Sequence, residues 1–452
     1  MADATSSPAK VQGAGALDKA LQDAPALRGV DGGFTATSIT QRLARIMRSA
    51  CAVSKPGAAA QCVDAVEALA ASMEAGADIP PLQPAPTSLP TTHRIDSAWA
   101  EAWEGAFPAG STWLTAPWFD VEAAAYRLLL SALRQDGVEG ALKDDSFDPF
   151  AAQKAALLQA AEQPWAQSVV PLLGHAADTE QLLLRALWGN RADLSLSGGD
   201  PVTHETQEAG GAAPGPLARG LLADDSTAAL ALLGGSLTHG VCMVLDNAGL
   251  ELLSDLALVD HLLNGNAPHV TLLCKPAPIF VSDALPRDVR TTIDWLAAGE
   301  VGGATCPATQ ALGARLQGCL GEGRLRITTH DWTVSRHALW EAPHDLWSEL
   351  RAHSLVIVKG DANYRRLLGD RLVPFDTPWT DVLRYATGVN LIALRTAKSG
   401  VLAGTPLSVC AAAQAFLDPT APTVDVADWD KAKVALLARD AWLTSGKFGV
   451  VQ

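Results

Sequence analysis

Residues 241–263 read V-C-M-V-L-D-N-A-G-L-E-L-L-S-D-L-A-L-V-D-H-L-L. The first five are apolar without a break. A polar turn closes on Gly249, and from Leu252 to Leu263 the apolar residues fall at helical spacing. A short continuous apolar run, a turn and then a helix is the β–α step of a sheet buried on both faces. The same grammar recurs downstream. Val270–Leu273 and Ile279–Val281 read as strands ahead of a helix over Val289–Leu296; Leu355–Val358 precedes a helix over Tyr364–Leu368; Leu391–Leu394 reads as a last strand. Alternation of this kind predicts an α/β fold, three layers α/β/α around a largely parallel sheet, over residues 236–452.

Upstream the grammar differs. Ser197–Gly220 is rich in Gly, Pro and Thr, and with its flanks (196–235) reads as a loop and connector. Before it, residues 34–195 read as an all-helical domain. Ile39, Leu43, Ile46 and Met47 share a helical face, followed by helical runs at Val63–Ala75, Trp99–Trp103, Val121–Leu133, Ala151–Ala161 and Leu182–Trp188. Pro80–Pro90 interrupts them as an extended connector. Residues 1–33, rich in Ala, Gly and Ser, read as a flexible tail. There is no internal repeat and no heptad run.

Of 452 residues, 48% are hydrophobic and 18% charged, enough to bury a substantial core. Lys and Arg number 34 against 49 Asp and Glu, a net charge of −15 that disfavours nucleic acid and anionic membranes as partners. The seven cysteines are scattered, with no C-x-x-C, so neither a disulfide framework nor a zinc finger is implied. No apolar run reaches the ~18 residues of a membrane span. The N-terminus lacks the apolar core of a signal peptide, and Asp3, Asp18, Asp23 and Asp31 argue against a transit peptide. The expectation is a soluble cytoplasmic protein, with the nucleus left open and no obligate protein partner implied.

The chemistry collects at the ends of the strands. V-C-M-V-L runs into Asp246 and Asn247, I-F-V into Ser282 and Asp283, L-V-I-V into Lys359, Gly360 and Asp361, and L-I-A-L into Arg395, Thr396, Ala397 and Lys398. Open α/β sheets bind ligands outside the carboxyl ends of their strands. Any one such Asp is ordinarily a helix cap; four polar strand ends in one half of the chain define a rim. Asp246, Asn247 and Asp283 are hard oxygen donors suited to Mg²⁺ or Mn²⁺. Lys359, Arg395 and Lys398 are cations of the kind that hold phosphate oxygens, and Gly360 lets backbone approach closely. Metal plus cations is the equipment of phosphoryl transfer or phosphate hydrolysis.

These residues also carry a resemblance. V-L-D-N-A-G-L-E-L-L-S-D-L at 244–256, V-I-V-K-G-D-A-N-Y-R-R-L at 356–367 and R-T-A-K at 395–398 resemble the damage-control phosphatases, and within them the third subfamily, acidic-residue-methyltransferase-like or sugar-phosphate phosphatases. Further ordered matches are W-L-T-A-P-W-F-D-V-E-A-A-A-Y-R at 113–127, D-P-F-A-A-Q-K at 148–154, L-W-G-N-R-A-D-L-S at 187–195 and T-S-G-K-F-G at 444–449. The likeness spans nearly the whole chain. Ala362 departs from it, standing where leucine is common.

The resemblance implies that Asp246, Asn247 and Asp283 bind a divalent metal (Mn²⁺, Co²⁺, Ni²⁺ or Mg²⁺) and are catalytic. It implies that Asp246, Asn247, Glu251, Asp361, Asn363, Tyr364, Arg365 and Lys398 contact a small sugar phosphate, with Lys359, Gly360, Arg395 and Thr396 in support. The reaction implied is hydrolysis of fructose 1-phosphate, fructose 6-phosphate and similar esters. A metal-bound water is favoured as nucleophile, since an aspartyl-phosphate route would normally show D-x-D where this chain has D-N-A. Asp361 or Glu251 would orient the water or a sugar hydroxyl. One rival is carboxyl methylation of protein acidic residues with S-adenosylmethionine, for which the only glycine-rich candidate, Gly13-Ala14-Gly15, follows no strand and lacks a third glycine. A second rival is a non-catalytic interaction protein, against which the intact polar set argues.

The remaining conspicuous residues read as structural. Trp113, Trp118 and Trp188 read as core, Cys242 and Cys274 as buried small hydrophobes, and His261 and His269 as flanking a helix end. Arg42 and Arg45 read as a solvated helix face.

Overall fold

In the computed structural model, residues 15–54, 60–134, 146–174, 178–189, 217 and 219–452 are described. Seven strands form one sheet: β1 (Leu221–Asp224), β2 (Val241–Val244), β3 (Val270–Cys274), β4 (Leu325–Thr329), β5 (Leu355–Lys359), β6 (Leu391–Thr396) and β7 (Gly449–Val451). Their spatial order is β1-β7-β6-β5-β2-β3-β4. The pairs β6–β5, β5–β2, β2–β3 and β3–β4 are all parallel; β7 runs antiparallel to β6 and parallel to β1. The sheet is therefore largely parallel, as the alternating pattern requires. Every residue of β2, β3 and β5 is buried, which is why these strands read as unbroken apolar runs.

Three strands carried too little pattern to be anticipated. β1 has four residues and β7 three, and β4 is an edge strand whose sequence, L-R-I-T-T, mixes polar with apolar. Conversely, Ile279–Val281 is not a strand. Phe280 and Val281 both have positive φ, 52° and 62°, so the segment turns back on itself. Its apolar character comes from packing: the Phe280 ring meets Tyr126 at 5.4 Å and Phe119 at 5.8 Å.

The expected helices of the first half are present at Ala44–Ser54, Ala60–Glu74, Pro90–Ala106, Trp118–Leu133, Ala151–Ala160 and Thr179–Trp188. Pro90 opens its helix at the first position, where its missing N–H is not needed. These helices do not stand apart from the sheet. One apolar cluster runs from Leu21, Ile39, Trp113 and Leu129 to Val244, Val358 and Val450 on one sheet face. A second joins Trp165, Leu183 and Leu187 to the other face through the helix Leu250–Asn264. That helix is apolar nearly all round because it is covered nearly all round.

Two expectations need amending. Residues 15–33 are tied down: Leu21 is fully buried, Leu27 N–H donates to Asp370 O at 3.1 Å, and Leu372 N–H donates to Pro25 O at 2.9 Å. Residues 1–14, with Gly13 and Ala14 of the weak glycine motif, lie outside the described residues, as does most of the loop over 197–220. Arg42 is buried, not solvated, and pairs with Glu122 at 2.7 Å; Arg45 is exposed. Trp113 and Trp118 are buried, in keeping with core packing, and Trp188 is half-buried. Among the described residues no helix is long and apolar enough to cross a membrane.

Candidate active site

The strands β6, β5, β2 and β3 are neighbours in that order, so the residues just beyond them form one continuous rim. Asp246 follows β2, Gly360 and Asp361 follow β5, and Ala397 and Lys398 follow β6. Asp283 reaches the rim by another route. The positive-φ turn at Phe280 and Val281 lays residues 282–284 beside 246–248 as an antiparallel bridge centred on Asn247 and Asp283. Ala248 N–H donates to Ser282 O at 2.8 Å, and Ala284 N–H to Asp246 O at 2.7 Å. Backbone bonds thus hold the segments that carry Asp246 and Asp283 side by side.

Asn247 sits at the centre of this group. Its Nδ2 donates to Asp246 Oδ2 at 2.9 Å and to Glu251 Oε2 at 3.0 Å, and its Oδ1 accepts from the Ser282 hydroxyl at 2.6 Å. Gly249 ends the turn with φ 78° and starts the buried helix, whose first turn carries Glu251. A carboxylate there gains from the helix dipole. Beneath it, the Lys359 ammonium donates to Glu251 Oε1 and lies 2.9 Å from Asp255 Oδ1. Burial alone would lower the Lys359 pKa, but Asp255 and Glu251 hold it above the usual lysine range. Two carboxylates share that one cation. Burial, with Glu251 adding to it, pushes the Asp255 carboxyl up despite Lys359.

Gly360 joins the two halves of the rim. Its φ is 83°, and a Cβ there would fall 1.8 Å from Asp246 Oδ2. The Asp246 carboxylate occupies the space that glycine leaves open. Beyond it, Asp361 Oδ1 accepts from Arg395 Nε at 2.7 Å, Lys398 N–H at 3.0 Å and the Ser399 hydroxyl at 3.1 Å. Burial works to raise this carboxyl, but Arg395 foremost brings it below the ordinary carboxylate range. Asn363 Nδ2 donates to Leu245 O at 3.1 Å and Lys359 O at 2.9 Å, pinning the helix Asp361–Leu368 to the ends of β2 and β5.

Not every anticipated residue turns its polar atoms to the rim. Arg395 directs its guanidinium to Asp361, Ser399 and Val401 O, and the Thr396 hydroxyl donates to Leu187 O. The Tyr364 hydroxyl donates to Gln452 Oε1 at 2.9 Å, while its ring stacks on Trp379 at 5.3 Å. Arg365 binds both Asp370 oxygens and Glu122, with its guanidinium 3.9 Å from the Trp118 ring centroid. Glu122 thereby links Arg42 and Arg365, tying the 113–127 motif to the helix Asp361–Leu368.

Two buried cations at the rim escaped the sequence reading. Lys275, immediately after β3, lies 3.2 Å from Asp283 Oδ2. Arg366 donates to Asn363 Oδ1 at 3.2 Å and Ser335 O at 3.0 Å, between the Phe119 and Trp332 rings. Burial pulls the Arg366 guanidinium down to about 10, against the opposing pull of Asp283 and Asp246. A lysine straight after a wholly buried strand was the available signal for Lys275. Arg366 stood inside a quoted motif but beside the more conspicuous Arg365.

The model of the damage-control phosphatase ARMT1-like domain matches residues 36–410. The chain belongs to that family. Damage-control phosphatase ARMT1 of Xenopus laevis is 29% identical over 380 residues, covering 77% of this chain and 76% of its own. The Xenopus tropicalis protein of the same name is 30% identical over 369 residues, covering 75% of each chain. The human one is 28% identical over 377 residues, covering 76% of this chain and 75% of its own. Among solved structures, a DUF89 family protein from Pyrococcus horikoshii aligns over 70% of this chain and 88% of that one, at 15% identity and a TM-score of 0.38.

The donor set at the rim fits a hard divalent ion: two carboxylates and an amide oxygen, all buried, with a glycine cradle behind Asp246. Among the described residues no three His, Cys, Asp or Glu converge as a metal-binding group. The third oxygen donor here is the amide of Asn247, a residue type outside that set.

Proposed function

We propose that this chain is a metal-dependent phosphatase acting on small sugar phosphates of the fructose 1-phosphate and fructose 6-phosphate type. The observation that carries the reading is the bridge that brings Asp246, Asn247 and Asp283 together at the end of β2, beside Gly360. Asp246, Asn247 and Asp283 would hold the ion, Mn²⁺, Co²⁺, Ni²⁺ or Mg²⁺. When bound, it supplies a Lewis acid for the phosphoryl group and lowers the pKa of a coordinated water.

The protein's own residues do the rest. Glu251, held by Lys359, fixes the Asn247 amide. Asp361 is kept ionised by Arg395 and accepts hydrogen bonds; in the complex it accepts from a sugar hydroxyl or orients the attacking water. Lys398 neutralises a phosphate oxygen, with its backbone anchored on Asp361. Asn363, Tyr364 and Arg365 shape the substrate side through the helix they share, Tyr364 and Arg365 by packing and ion pairing rather than by exposed polar atoms. Equilibrium dialysis of the EDTA-stripped protein against Mn²⁺, alongside phosphate release from fructose 1-phosphate, tests this reading. Wild type should bind the ion and turn over, and Asp283→Ala should lose both. Turnover surviving in Asp283→Ala overturns the assignment.

A further inference from the structure

Lys275 is fully buried, and its ammonium has three hydrogens to place. It donates to Leu245 O at 3.1 Å and Asn363 Oδ1 at 3.4 Å, and it is ion-paired with Asp283, whose Oδ2 lies 3.2 Å away. Its backbone is engaged as well, Lys275 N–H donating to Ala284 O at 3.1 Å. Fully buried and enclosed by these partners, this cation is not placed to take up a phosphate. It acts through the groups it holds, one on the turn that carries Asp283 and one, Asn363, on the helix Asp361–Leu368.

We propose that Lys275 is the resident counter-ion of Asp283, a positioning residue that holds this carboxylate and Asn363 in place without metal and competes with the metal for Asp283. The inference rests on the metal reading of Asp246, Asn247 and Asp283. Its consequence is an exchangeable metal. A dication approaching Asp283 must share the carboxylate with an ammonium that has no water to retreat into, so the site binds its ion less tightly than two carboxylates and an amide otherwise would.

The test is equilibrium dialysis with Mn²⁺ on the full chain stripped with EDTA, comparing wild type with Lys275→Met, which keeps the length of the side chain and removes the charge. Lys275→Met is expected to bind Mn²⁺ about tenfold more tightly, within the range of coupling between groups in contact. Its melting temperature should fall more in the metal-free protein than in the Mn²⁺-saturated one. A lysine with a purely structural role would lower both equally. An unchanged or weaker Mn²⁺ affinity overturns the proposal.

Should Lys275→Met fail to fold, the double variant Lys275→Met/Asp283→Asn removes both charges and carries the test. It is expected to melt above Asp283→Asn, which leaves Lys275 buried without its partner; melting at or below that single variant overturns the proposal. Wild type that takes up no Mn²⁺ removes the metal reading and this inference together. Wild type and Lys275→Met that bind Mn²⁺ equally remove this inference alone.

Discussion

Replacing Gly360 with alanine probes the joint between the two halves of the rim. Two costs follow from the geometry. The backbone at φ 83° and ψ 170° lies in a region essentially reserved for glycine, where a side chain costs roughly 1–3 kcal/mol. The new methyl would sit 1.8 Å from Asp246 Oδ2 and 2.1 Å from its Cγ, whereas real Cβ contacts essentially never close below 3.0 Å. The carboxylate must therefore retreat by about 1 Å, a misplacement that costs on the order of 10²-fold in a reaction governed by positioning. The assay pairs phosphate release from a fructose phosphate with a thermal melt. Gly360→Ala should lose about two orders of magnitude in kcat while remaining folded. Turnover within a few-fold of wild type would refute the claim that the Asp246 carboxylate acts from the space beside Gly360.

Other perturbations separate the remaining roles. Asp246→Ala should abolish phosphate release and leave Tm unchanged or higher, because it relieves repulsion with Asp283; a clear fall in Tm would show that Asp246 is structural. Lys359→Met strands the buried carboxylates of Glu251 and Asp255 and should cost about 3–5 kcal/mol in urea unfolding, the usual penalty for breaking a buried ion pair. Burial pushes the Asp120 carboxyl up to about 6, against Arg336. The folded chain thus holds that proton more tightly than the unfolded one. The stability this contributes is complete below about pH 4 and is lost as pH rises through 6. Asp120→Asn, which cannot ionise, should gain on wild type in melts between pH 4 and 7, and a parallel pair of curves would contradict this.

The sheet and its rim were legible because β2, β3 and β5 are buried on every side, so burial wrote itself into unbroken apolar runs ending in polar residues. Asp246, Asn247, Asp361 and Lys398 follow their strands and could be read there. Asp283 was located for a partly mistaken reason: the run before it is apolar because Phe280 packs against Phe119 and Tyr126, not because it forms a strand. What stayed hidden depends on contacts across great sequence distance. Glu122 meets Arg365 243 residues away, so Arg42 and Arg365 could not be seen as partners of one carboxylate. Lys275 stood alone after its strand, and only the fold shows that Leu245, Asp283 and Asn363 surround it. The helices of the first half were legible one by one because their apolar faces are local in sequence, while the sheet face they cover is not.

As proposed, the rim is a metal-dependent sugar-phosphate phosphatase site. Phosphate release from fructose 1-phosphate and fructose 6-phosphate, measured with EDTA and after adding back Mn²⁺, Co²⁺, Ni²⁺ or Mg²⁺, tests it most directly. No release is expected with EDTA, and turnover should return with at least one of these ions. Release that persists undiminished in EDTA, or folded protein that turns over neither ester with any of the four, would contradict it.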